Sequence, residues 1–72
     1  MTGKMVESLF DGMFWTRSDE MVEEIVEMGF EVVESYPLPC EYVVIRDDDD
    51  NEFVLYLGCA NTTVWVDRVR EW

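Results

Sequence analysis

The sequence predicts a single α+β domain over residues 1–72, in which a small antiparallel sheet of three to four strands packs against one or two helices. A chain of 72 residues is long enough for one domain. Its apolar fraction of 49% and aromatic fraction of 14% are too high for a disordered acidic tail. Two segments with helical periodicity precede several short β-rich segments separated by turn residues, and this order is typical of α+β domains.

The N-terminal segment, residues 2–16, is compatible with two structures. A short amphipathic helix over residues 2–11 is predicted by apolar residues at i, i+1, i+4, i+5 and i+8: Met5, Val6, Leu9, Phe10 and Met13. The alternative is a hairpin of residues 8–10 and 13–15, because Asp11-Gly12 is a strong type I′ turn signal. We favour the helix, with Gly12 as its C-cap, since Lys4 and Glu7 fall on its polar side.

A second helix is predicted to begin with a capping-box-like signal at Thr16-Arg17-Ser18-Asp19, where Ser18 is a competing N-cap. Acidic residues fill its first turn, where the helix dipole favours them. Its inward stripe consists of Met21, Val22, Ile25, Val26 and Met28. Gly29 ends the helix, and Phe30 is expected to fold back onto Ile25 as in a Schellman motif.

Four strands follow in the prediction. The first, Glu31–Tyr36, ends at Pro37-Leu38-Pro39, because proline cannot donate to a sheet. Glu41–Arg46 and Glu52–Leu57 form a hairpin around residues 47–51, and Thr63–Asp67 is the last strand.

The hairpin register is predicted by placing Arg46 opposite Glu52. This register collects the following residues on one face as a core: Val43, Ile45, Phe53, Leu55, Leu57, Val64 and Val66. The other face collects Tyr42, Val44, Val54, Tyr56 and Trp65. A slip by one residue mixes polar and apolar residues on both faces. The acidic helix can cover one face, and the second is covered by the N-terminal segment or by a second copy in a homodimer.

The two cysteines, Cys40 and Cys59, point to opposite faces in this register. A disulfide between them is therefore not expected. We interpret both as small buried apolar residues, which is the commonest environment of a free cysteine. The slipped register would place them opposite each other.

The charge of the chain is concentrated between Ser18 and Glu52. This segment has thirteen of the seventeen carboxylates and one base, Arg46, so it carries the whole net charge of −12. Direct binding of nucleic acid or of an anionic membrane is excluded by this charge, since both depend on Lys and Arg. The expected partner is a basic surface.

Several kinds of chemistry are excluded by the residues. The chain has no histidine, and its cysteines match neither a zinc site nor a redox pair. Asp47-x-Asp49-x-Asn51 begins like an EF-hand loop, but Glu52 stands at the glycine position and Gly58 at the glutamate position. No nucleophile–base arrangement or phosphate-binding loop appears. We therefore expect neither enzymatic activity nor a cofactor or metal, and the lack of a long apolar segment predicts a cytoplasmic protein.

The candidate partner-binding residues are carboxylates whose clustering is unfavourable for folding. Like charges at i, i+4 on a helix cost about 0.2–0.5 kcal/mol per pair, and side chains on one helix face lie about 5–6 Å apart. When a sequence clusters like charges that destabilise the fold and gains no stability elsewhere from them, function is the first explanation. The candidates are Asp19, Glu20, Glu23, Glu24, Glu27, Glu31, Glu34, Asp47, Asp48, Asp49 and Asp50.

In size, charge and α+β outline with clustered carboxylates, the chain resembles small acidic inhibitors encoded by phages, including DNA-mimic and anti-CRISPR proteins. The resemblance implies a protein that occupies the nucleic-acid-binding groove of a host defence protein or complex in the host cytoplasm. Glu20, Glu23, Glu24, Glu27 and Asp47–Asp50 would then meet Lys and Arg of the target. Two other hypotheses stay open: an acidic antitoxin or adaptor that binds through Tyr42, Tyr56 and Trp65, and an ordinary domain from a salt-loving organism.

Overall fold

The computed structural model describes residues 1–36 and 42–72. The elements are α1 (Gly3–Phe10), β1 (Phe14–Trp15), α2 (Ser18–Glu27), β2 (Glu31–Tyr36), β3 (Tyr42–Arg46), β4 (Glu52–Ala60) and β5 (Thr63–Glu71). The strands form one antiparallel sheet in the order β1-β5-β4-β3-β2. The α+β class is confirmed. The expected number of strands is wrong, because Phe14–Trp15 pairs with β5 and adds a fifth strand.

The N-terminal segment forms the predicted helix. The side chain of Thr2 caps α1 by accepting a hydrogen bond from the backbone N–H of Met5 at 3.2 Å. Gly12 then reverses the chain with φ of 77°, a left-handed conformation that glycine adopts without strain. The hairpin alternative is wrong, since Phe14 and Trp15 pair with Trp65 and Val64 of β5.

The end of α2 is as predicted and its start is not. Phe30 N–H donates to Ile25 C=O and Gly29 N–H to Val26 C=O, with Gly29 at φ of 100°, which together make a Schellman motif. The expected capping box is absent, because Arg17 occupies the N-cap position without a side-chain bond. The Thr16 hydroxyl lies 3.3 Å from the Glu20 carboxylate and donates to it.

The hairpin register is confirmed, with Arg46 opposite Glu52 and Tyr42 opposite Tyr56. Both β4 and β5 run further than predicted, because a two-residue turn connects Ala60 to Thr63 with Asn61 at φ of 59°. Asparagine tolerates the left-handed conformation that such a hairpin turn requires. The extension brings Arg68 and Arg70 into the sheet.

Both helices pack on the same face of the sheet. The core there consists of Val6, Phe10, Trp15, Met21, Ile25, Phe30, Val43, Ile45, Phe53, Leu55 and Leu57. Fully burying a large apolar side chain contributes about 1.5–3 kcal/mol, so this single cluster dominates the stability. Three residues of the expected helix stripes, Met5, Leu9 and Val26, are instead exposed.

The opposite face, which we call the outer sheet face, has no helix over it among the described residues. Phe10 and Trp15 join the core on the helix side, so the expectation that the N-terminal segment covers the second face is wrong. Phe14 alone reaches it, and its ring centroid lies 6.2 Å from that of Trp65.

Cys59 is exposed and disulfide-bonded, so its interpretation as a buried free thiol is wrong. The other half of the prediction concerns Cys40, which lies outside the described residues. Across residues 1–36 and 42–72, neither helix has the length and apolar character needed to cross a membrane.

Candidate protein-binding site

The solvent face of α2 presents a row of carboxylates because its apolar residues alternate at helical spacing. Met21 and Ile25 are fully buried against the sheet, and Glu20, Glu23 and Glu27 are exposed on the opposite side. Within the described part of the chain, Glu23 and Glu27 form no hydrogen bond or ion pair. Their charges therefore remain available to a partner.

Glu24 has a different environment from its neighbours. Its carboxylate accepts a hydrogen bond from the indole Nε1–H of Trp15 at 2.9 Å, and it is only partly exposed. Trp15 is 7% exposed, so this bond satisfies a donor that is largely removed from water. Glu24 therefore stabilises the fold and has less capacity to bind a partner.

Asp19 is already paired. The guanidinium of Arg17 donates to both of its carboxylate oxygens, at 3.0 and 2.7 Å. Both side chains are exposed, which limits the contribution of such a pair to about 0–1 kcal/mol. A partner's arginine could displace Arg17 at little cost.

The first aspartate of the run, Asp47, builds the turn between β3 and β4. Its Oδ1 accepts from the backbone N–H groups of Asp49 and Asn51, both at 2.9 Å, and its Oδ2 accepts from the Asn51 side chain. The Met1 amino group lies 3.4 Å from the same Oδ2. The carboxylate of Asp47 is 6% exposed, so it is a structural part of the turn.

The pKa of Asp47 reflects these contacts. Desolvation is the largest single influence and raises the pKa of this carboxyl, but the hydrogen bonds from Asn51, Asp49 and the N-terminal amine together outweigh it. The pKa of Asp47 is therefore lower than its ordinary value of 3.8. The other three aspartates of the run, Asp48, Asp49 and Asp50, are exposed.

The tip of this hairpin lies beside the C-terminal end of α2. Asp47, Asp48 and Asp49 line a shallow depression of about 180 Å³ together with Met1 and residues 28–30. The last turn of α2 contains no basic residue that could offset these charges or the helix dipole. The hairpin tip is therefore a neighbour of the C-terminal end of the helix that carries the exposed glutamates. We call this combination the acidic surface, defined by Glu20, Glu23, Glu27, Asp48, Asp49 and Asp50.

Two predicted site residues, Glu31 and Glu34, lie elsewhere, on the outer sheet face. Glu31, Arg46 and Glu52 are cross-strand neighbours, and the Arg46 guanidinium donates to Glu31 at 3.2 Å and to Glu52 at 2.8 Å. The hydrogen bond to Glu52, followed by the charge of Glu31, raises the pKa of Arg46 above its ordinary value. Glu31 is therefore neutralised internally, while Glu34 is exposed.

The outer sheet face also has features that the sequence reading missed. Arg68 lies across the strand from Tyr56, with its guanidinium 4.5 Å from the ring centroid. A groove of about 100 Å³ is lined by Glu34, Tyr42, Val44, Val54, Tyr56 and Trp72. Tyr42, Val44, Val54 and Tyr56 were predicted on this face, but ending the last strand at Asp67 hid Arg68 and Trp72, although the alternation continues through Arg68, Val69 and Arg70.

Trp65 lies flat on Gly58, its cross-strand partner. A Cβ placed on Gly58 would stand 2.5 Å from the indole Nε1, so only glycine leaves room for the ring. An aromatic side chain that covers a strand glycine in this way stabilises the pairing of the two strands.

Within the described ranges, no group of three or more acidic or cysteine side chains is arranged to hold a metal ion. No protein-family model matches the chain, and comparisons with the curated proteins and with the solved structures likewise give no match.

Proposed function

We propose that the protein binds the basic, nucleic-acid-binding surface of another protein through its acidic surface and thereby blocks access of DNA or RNA. The observation that carries this proposal is the position of the unpaired carboxylates. The hairpin tip lies beside residues 28–30, directly after the helix that carries Glu23 and Glu27, and no basic side chain of the described residues pairs with Asp48, Asp49 or Asp50.

The spacing of these charges suits a site that normally holds phosphates. Carboxylates on one helix face lie about 5–6 Å apart, and duplex DNA carries one negative charge per about 1.7 Å of its axis, shared between two strands. A strongly negative body also accelerates its encounter with a basic groove. Binding would release the target from nucleic acid without any contact between this protein and the nucleic acid.

The class of target follows from the resemblance to anti-CRISPR and DNA-mimic inhibitors. A host defence protein or complex that holds DNA or RNA in a groove of Lys and Arg is the proposed partner, and the cytoplasm is the proposed location. Disulfides are rare in the cytosol, so the bond at Cys59 provides a check on that location. Alkylation of the protein in intact cells would show whether Cys59 is reduced there.

The test uses two variants with the same net charge. One replaces carboxylates of the acidic surface (Glu20→Gln, Glu23→Gln and Glu27→Gln), and its matched control replaces exposed carboxylates elsewhere (Glu7→Gln, Asp11→Asn and Asp67→Asn). Proteins retained from host lysate by the immobilised wild type are purified, and duplex DNA and single-stranded RNA are titrated against each complex.

The expected result is mutual displacement. Nucleic acid releases the target from the wild type, affinity falls steeply between 50 and 200 mM salt as it does for phosphate contacts, and only the acidic-surface variant loses binding. A ternary complex with nucleic acid still bound would rule out this function. Equal losses in the two variants would show that only net charge matters.

A second candidate is an adaptor that binds a partner through the outer sheet face. It is favoured by the exposure of Phe14 (64%) and Trp72 (78%), which are large apolar side chains outside the core. Such a complex should tolerate salt and weaken when Phe14 or Trp72 is replaced by alanine. The salt series on the purified complexes therefore separates the two candidates.

A further inference from the structure

The outer sheet face is electrically neutral although the chain is strongly acidic. Among residues 1–36 and 42–72, the pleat places six charged residues on it: Glu31, Glu34, Arg46, Glu52, Arg68 and Arg70. Three carboxylates and three guanidiniums cancel, so the net charge of −12 belongs entirely to the other residues of the chain. A neutral face of this kind can approach a second acidic molecule that the rest of the surface repels.

The charges on this face are also ordered across the sheet. One row runs Glu34, Val44, Val54, Arg70 across β2, β3, β4 and β5, as given by the strand register. An acidic side chain thus stands at one end of the row and a basic side chain at the other, while Val44 and Val54 between them are only 4% and 2% exposed in the single chain. The adjacent row has Arg46 on β3 and Glu52 on β4.

We infer that this face binds a second copy of the chain around a two-fold axis that runs along the strands, between β3 and β4. Such an axis places β2 of one copy opposite β5 of the other. Glu34 then faces the partner's Arg70. In the adjacent row Arg46 faces the partner's Glu52. In each row the charges of one copy therefore face opposite charges of the same row in the other copy, as an interface built from the same patch on both copies requires.

The remaining groups on the face fit this assignment. Tyr42 faces the partner's Tyr56, and the aromatic rings supply the large amphipathic contacts that are enriched in interfaces. Facing sheets pack about 10 Å apart, a distance that these side chains can fill. Because both helices lie on the other side of the sheet, the two acidic surfaces point away from each other and their repulsion is small.

The test uses two variants that each reverse one charge of this row, Glu34→Arg and Arg70→Glu. Both side chains are exposed, so each variant should fold, which circular dichroism checks. Glu34 and Arg70 stand on β2 and β5, three strand spacings or about 14 Å apart. They cannot pair within one chain, so any recovery on mixing reports an intermolecular contact.

Sedimentation equilibrium of the wild type is expected to show a dimer. Each variant alone juxtaposes like charges twice and should dimerise at least about a hundredfold more weakly, because such contacts cost several kcal/mol. An equimolar mixture restores both Glu–Arg pairs and should form a heterodimer, which native mass spectrometry identifies by mass.

The control is Glu7→Arg on α1, which changes the net charge by as much as Glu34→Arg but lies off the outer sheet face and should leave the dimer intact. A wild type that stays monomeric at millimolar concentration overturns the inference. This result is expected if the face binds a different protein. Variants that dimerise like the wild type, or fail to recover on mixing, overturn the proposed axis.

Discussion

The carboxylate of Glu24 accepts a hydrogen bond from the indole Nε1–H of Trp15 at 2.9 Å, joining the acidic helix α2 to the short strand β1. Trp15 also belongs to the core and contacts Phe10, with ring centroids 6.4 Å apart. One glutamate of the acidic helix is thus part of the scaffold, which separates the stability of the fold from the function of the neighbouring carboxylates.

Replacement of Glu24 by alanine should lower the free energy of unfolding by about 1–3 kcal/mol, because it leaves the buried indole N–H without an acceptor. Glu24→Gln keeps an acceptor oxygen and should cost less than about 1 kcal/mol. Urea denaturation measures both values, with Glu23→Ala as the control on the same helix. Equal effects of Glu24→Ala and Glu23→Ala would contradict the role of the bond.

Asp47 should make the stability of the turn depend on pH. Its pKa is lowered in the folded chain, so its contribution is fully present above the ordinary value of 3.8 and is lost as the pH falls through the lowered pKa. The difference in unfolding free energy between the wild type and Asp47→Asn should therefore shrink as the pH falls from 5 towards 2. Denaturation at several pH values measures it, and a difference that stays constant over this range would contradict the role of these hydrogen bonds.

Gly58→Ala should displace the indole of Trp65, because the added Cβ would stand 2.5 Å from its Nε1. Overpacking of this kind typically costs about 1–3 kcal/mol. The loss should appear in thermal denaturation together with a red shift of tryptophan emission. The double variant Gly58→Ala with Trp65→Leu should lose less stability than the sum of the two single variants, because the added Cβ no longer meets the indole. Simple additivity of the two losses would contradict the stacking of the ring on the glycine.

Neutralising the acidic surface should stabilise the fold. The triple replacement Glu20→Gln, Glu23→Gln and Glu27→Gln removes repulsions at i, i+3 and i, i+4 and should raise the unfolding free energy by about 0.5–1 kcal/mol. The gain should diminish in 1 M salt, where the screening length is about 3 Å. Loss of folding in this variant would show that the face is structural.

The fold could be predicted largely because one face of the sheet is apolar. A slip of the hairpin by one residue would place Phe53 on the opposite face from Val43 and Ile45, so their alternation determines the register. The strand β1 overlaps residues 13–15 of the hairpin alternative, but its pairing with β5 could not be predicted, since a pair of residues is too short to show periodicity. The helix start was misread because Arg17, a residue with no capping group, occupies the N-cap.

The candidate site could be predicted in part. Charge and helical spacing identified Glu20, Glu23 and Glu27 as a common exposed row. The internal roles of Glu24 and Asp47 depend on contacts with Trp15 and with a turn, and these are tertiary features that spacing does not encode. The disulfide at Cys59 was missed for a similar reason, because strand parity and the usual burial of free cysteines were the criteria applied to it.

The placement of both helices on the same side of the sheet gives this small protein two opposed sides of different character, one with the acidic helix and one that is neutral. If two copies associate through their neutral sides, the pair presents two negative surfaces in opposite directions. A multisubunit assembly with repeated basic grooves could then be bridged, and the second contact would form at the high effective concentration set by the first. Under that arrangement, a protein of 72 residues would gain avidity without any additional contact area on each copy.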